Sequence, residues 1–142
     1  MNRFLLILGI IFFTWACSTQ KAVVKVEPKA EEALQEQDSV EYSMETFDSK
    51  FKAWYERHKN PAMYRSQDYY EYWNRQYVTA WNAHAMDARR NSFFESIVGY
   101  DQNTDYGLEL NHELFYYFQY VEHVLKIPIL PGGGPKLINF QP

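Results

Sequence analysis

Tyr69, Trp73, Tyr77 and Trp81 recur every fourth residue through an unbroken run of the chain. With no apolar-polar alternation between them, the spacing predicts one long helix carrying four large rings on one side. At about 100° per residue, Ala80 and His84 join that stripe, while Glu71, Arg75, Asn82 and Met86 fall opposite. Ser66 is the expected N-cap, with Asp68 near the positive end of the helix dipole. A row of rings this large must be buried or must bind something, because left in water it would be a sizeable apolar patch.

The rest of the chain supplies partners for it. Of the four Trp, 12 Tyr and 10 Phe, 21 lie between Tyr42 and Tyr120. Tyr42, Met44 and Thr46 alternate with Ser43 and Glu45, which predicts a short strand. Phe47, Phe51, Trp54 and Tyr55 recur at helical spacing through Asp48 to His58, and Asn60-Pro61 stops that helix. The 91–104 connection carries Phe93, Phe94, Ile97 and Val98, enough to tuck against a core or pair as a second strand. A last helix is expected over Tyr106–Lys126, with Leu110, Leu114, Tyr117, Phe118, Val121, Val124 and Leu125 as its apolar stripe. Pro128 and Pro131 end it, Gly132-Gly133-Gly134 reads as a flexible joint, and Leu137–Phe140 as a short terminal strand. The fold class is therefore mainly α (α+β): two long amphipathic helices, a shorter helix before them and one or two short strands.

The N-terminus speaks to location. After Asn2 and Arg3, Phe4 to Phe13 is an unbroken apolar stretch followed by Thr14-Trp15-Ala16-Cys17. A spanning helix needs about 20 apolar residues, so this run reads as a signal peptide over 1–16 rather than a membrane span. Cys17 is the single cysteine, which excludes an internal disulfide. A Cys directly behind a small residue at the end of such a run resembles the lipobox of bacterial lipoproteins, in which the thiol carries lipid. Ala16 fits the cut; Thr14 stands where Leu is favoured, and bulky Trp15 is unusual. Residues 17–40 are polar and charged, from Lys21 to Asp38, and read as a flexible linker about 25 to 30 Å in span. Lys21 precedes the first acid, Glu27, which favours a periplasm-facing anchor. The aromatic-rich domain is expected over 41–127 and a Pro/Gly-rich tail over 128–142.

Three blocks carry a family resemblance: Tyr64-Arg65-Ser66; Asn74 to Asn82; and Tyr100 to Gly107 with Glu109 and Asn111. Together they resemble a domain-of-unknown-function family of small lipoproteins from Gram-negative bacteria, over about Tyr42 to Leu125. The resemblance implies a lipoprotein and one domain containing all three blocks. It implies no activity.

Candidate chemistry is sparse. Asp101, Asn103 and Asp105 have the oxygen spacing that opens an EF-hand calcium loop, but Tyr106 occupies the glycine position and His112 stands where a bidentate Glu belongs. Asx turns at Asp101 and Asn103, with Asp105 capping the last helix, are the simpler expectation. His112-Glu113-Leu114-Phe115-Tyr116 lacks the second histidine of a zinc-protease motif, and Glu109-Leu110-Asn111-His112 lacks the second copy a di-iron bundle needs. His112 and His123, 11 residues apart, would sit about 16 Å apart along a helix, and both read as solvated. His84, inside the aromatic stripe, is expected to be neutral and bonded to a tyrosine hydroxyl. No nucleophile motif and no phosphate loop is present.

A formal charge of −4, or −5 counting from Cys17, excludes the basic stripe that nucleic-acid binding requires. The expectation is a membrane-anchored cell-envelope lipoprotein, structural or protein-interacting, with no cofactor and no catalytic residue. A module binding glycan through Trp73 and Trp81, or calcium, is the alternative; an enzyme ranks last.

Overall fold

A computed structural model of the chain describes residues 24–28, 42–46, 48–87, 89, 93–94 and 97–136. The signal segment, Cys17 and the terminal 137–140 strand expectation lie outside these residues. Two antiparallel strands, β1 (Val24–Pro28) and β2 (Tyr42–Thr46), precede three helices: α1 (Ser49–His58), α2 (Gln67–Met86) and α3 (Gly107–Gln119). The fold is mainly α with a small β part, as the periodicities predict.

β1 corrects the linker expectation. Val24 faces Thr46 and Val26 faces Met44, with Val24, Met44 and Thr46 buried, while Lys25 and Glu45 pair across the outer face. Three residues of alternation in a charged stretch are too short a signal to read without the partner strand. β2 therefore takes its partner from upstream, and the 91–104 connection is described only at 93–94 and 97–104. There Phe94 and Val98 are buried beneath the loop while Ile97 is exposed.

Each helix start has a local cause. Asp48 accepts the Lys50 and Phe51 N–H groups to cap α1, and Ser66 accepts the Tyr69 N–H to cap α2. Asn60 does the same for the short 3-10 turn Pro61–Met63, where proline at the first position fits the missing donor.

α3 is the centre of the molecule. Leu110, Asn111, His112 and every residue from Leu114 to Val121 are buried, so it has no single apolar stripe. α1 runs antiparallel to it: Phe51 meets Tyr117 edge-on at 5.0 Å, whereas Tyr55, one turn further along, reaches His112 and Tyr116. α2 runs parallel, from Gln67 beside Asp105 to His84 beside Ile129, which explains the long return connection between them. Its buried face is Tyr70, Asn74, Tyr77, Val78 and Trp81.

That face is rotated from the expected stripe, because Tyr69 and Trp73 are only half-buried at its edge. The reason is Asn74, a polar residue that apolar periodicity ignores and that belongs in the seam because α3 offers it a partner. α3 also stops early, at Gln119, and passes into a π turn, Tyr120–Val124, that leaves Val124 and Leu125 exposed. Lys126 then adopts a left-handed φ of 60°, and the chain doubles back as a strap over 127–134.

A buried histidine and carboxylate at the centre of the fold

His112 projects from α3 into a cage of four tyrosines drawn from four segments. Tyr64 stacks on the imidazole at 3.8 Å and 27°, Tyr116 lies against it at 4.1 Å, and Tyr70 meets it edge-on at 5.2 Å. The Tyr55 hydroxyl shares a 2.9 Å hydrogen bond with Nδ1 and a second hydrogen bond with the Tyr64 hydroxyl. Tyr70 fixes the Tyr64 segment by accepting the Arg65 N–H. His112 has no exposed surface, and Nε2 has no partner among the described residues. Burial, assisted by the Lys59 charge, pushes its pKa down to about 4, so the ring is neutral at physiological pH. Burial pushes the Tyr55 hydroxyl well above its ordinary value and raises the neighbouring Glu113 carboxyl. A neutral imidazole sealed from solvent is a poor general base, because no substrate proton reaches it.

At the residue just before His112, side-chain amides join α3 to α2. Asn74 Nδ2 donates to the Asn111 carbonyl at 2.9 Å and to Asn111 Oδ1 at 3.2 Å. Asn111 Nδ2 in turn donates to the Gly107 carbonyl, and Tyr100 donates to Asn111 Oδ1 at 2.7 Å. The blocks around Asn74, Tyr100 and Asn111 meet here, although 37 residues separate Asn74 from Asn111. Asn82 adds a third tie, donating to the Val98 carbonyl and accepting its N–H at 2.8 Å.

Beyond the far end of α3, the π turn directs Glu122 inward. One carboxylate oxygen accepts the Ile129 and Leu130 N–H groups; the other accepts Gly134 N–H and the Tyr77 hydroxyl at 2.8 Å. Gln119 Nε2 donates to the same Tyr77 oxygen. Four donors on one carboxylate offset the cost of burying it without a cation. The glycine run is thus no free joint: Gly132 and Gly133 take positive φ to make the turn, and Gly134 is bonded to the core.

The expected site residues fare differently. Asp101 accepts the Asn103 N–H as an Asx turn, and Asp105 accepts both Gly107 N–H and Gln67 Nε2, so these carboxylates have turn and capping work. Among the described residues, no group of three or more His, Cys, Asp or Glu is arranged to hold a metal ion. His112 is fully buried rather than solvated, a correction with a plain cause: α1, α2 and the Tyr64 segment all close on this side of α3. His123 is half-buried and bonded to the Pro135 backbone. His84 donates from Nε2 to the Ile129 carbonyl at 2.9 Å rather than bonding a tyrosine. Trp81 has no exposed surface. Glu122 went unmarked in the sequence because nothing local distinguishes it from a surface acid; its four donors come from Tyr77 and from the strap.

No described helix is long and apolar enough to cross a membrane. The model of a protein family whose function is not known matches residues 5–130, and no curated protein or solved structure matches the chain.

Proposed function

We propose, on the premise that the chain belongs to the family of unknown function DUF6146, that it is a lipid-anchored module of a Gram-negative cell envelope with a structural or protein-interacting role. The carrying observation is the apolar stretch Phe4–Phe13 that ends in Ala16-Cys17. The family match begins at residue 5 and so takes in this stretch together with the helices. Export removes residues 1–16, Cys17 carries the lipid, and the domain faces the periplasm.

The interior supports a non-catalytic role. Its titratable groups are spent on holding segments together: His112 on the Tyr64 segment and Glu122 on the strap. A glycan-binding reading keeps one specific support, the exposed Tyr72 ring edge-on to half-buried Trp73 at 5.3 Å. Trp81 is too deeply buried to stack on a sugar.

The test is Cys17→Ser in the native host. The wild-type chain should incorporate labelled palmitate and fractionate with membranes, and the variant should do neither; label retained by the variant overturns the proposal. Crosslinking in intact cells then separates the roles, since an interaction module brings down protein and a glycan binder brings down glycan.

A further inference from the structure

We propose that His112 and its tyrosine cage form an acid-sensitive latch, in which proton uptake by the imidazole opens the Tyr64 segment away from α3. The geometry leaves a charged imidazole no partner. Nδ1 is already engaged with Tyr55, and Nε2 has no hydrogen-bond partner among the described residues in either neutral tautomer. Whichever nitrogen takes the proton, the cationic ring then carries an unpartnered Nε2–H in a site with no exposed surface.

The groups facing the ring do not compensate. α1 contributes Tyr55, and just past its end Lys59, a cation that repels the charged ring and is itself bonded to Glu56. The connecting segment contributes Tyr64, α2 contributes Tyr70, and α3 contributes Tyr116. The carboxylates Glu109 and Glu113 flank His112 on α3, yet among the described residues neither forms a hydrogen bond or ion pair with it. Stacking on Tyr64 gives the cation a ring face but no hydrogen-bond acceptor, and it does not replace the hydration that a buried charge loses.

Tyr64 is the element free to yield. It is half-buried, and its neighbours Ala62, Met63 and Arg65 are exposed. Tyr55 and Tyr116 sit within helices that also pack through Phe51, Trp54 and Tyr120. Opening would let water reach Nε2 and uncover the inner faces of the remaining tyrosines.

The sign follows from the depressed value. With the folded ring at about 4 and the ordinary value near 6.5, the closed state is fully favoured above about pH 6.5 and weakens as pH falls toward 4. Between pH 7 and 5 the open population should grow about 20-fold.

Hydrogen exchange on the full chain, corrected for the intrinsic pH dependence of exchange, reads this directly. Protection of residues 60–66 should fall about 20-fold between pH 7 and 5 in the wild type and in Tyr55→Phe, which keeps the imidazole. It should not change with pH in His112→Phe or, if that variant does not fold, in His112→Gln. Wild-type imidazole signals give a readout that needs no variant: they should stay neutral at pH 5 for as long as the segment is closed. An unchanged fall in the His112 variants, no fall in the wild type, or titration near pH 6.5 with the segment still protected overturns the latch.

Discussion

Two tryptophans on α2 divide the work of the aromatic row. Trp81 has no exposed surface and meets Phe94 edge-on at 4.8 Å, whereas Trp73 is half-buried beside exposed Tyr72. Truncating a fully packed ring removes both its transfer free energy and its contacts, so Trp81→Ala should lose about 3 to 5 kcal/mol. Trp73→Ala should lose about 1 to 2 kcal/mol, and urea unfolding followed by circular dichroism compares them; equal losses would mean the packed face is assigned wrongly. Gly134 poses a similar steric question, because a Cβ there would run into the Tyr77 hydroxyl. Gly134→Ala should cost about 1 to 3 kcal/mol, and less in a Tyr77→Phe background, with a double-mutant cycle giving the coupling. At Asp101 and Asp105, whose oxygens already accept hydrogen bonds, millimolar calcium should shift the melting temperature by less than about 1 °C. A larger rise, abolished in Asp101→Ala, would restore the calcium reading.

The strap over 127–134 behaves as an element only because Glu122 holds it. Glu122→Gln turns one acceptor oxygen into a donor facing donors, with an expected loss of about 3 kcal/mol. Trypsin should then cut faster after exposed Lys126, and an unchanged cutting rate would show that the strap is held by other contacts. Among the elements, α1, α2 and β2 were legible in the sequence because caps and apolar periodicity agree there. What escaped reading has a common physical origin. β1 needs a partner strand to become recognisable, Asn74 takes a core position that apolarity ignores, and the buried roles of His112 and Glu122 depend on groups remote in sequence. Local pattern carries information about faces and ends. It carries little about polar groups whose satisfaction comes from another segment.

Across the whole molecule, rings join the two long helices, with Tyr77 stacked on Phe118 and Trp81 against Tyr117, and buried polar groups tie remote segments together. The proposed role adds a lipid tether to this domain. The account stands on Cys17. Intact-mass spectrometry of the protein extracted from the membrane fraction of its native host tests that most directly. The predicted result is a chain beginning at Cys17 and heavier than the bare 17–142 polypeptide by a diacylglyceryl group on sulfur, with or without a further acyl chain on the new amine. A chain that retains residues 1–16, or one that begins at another residue with an unmodified thiol, would contradict it.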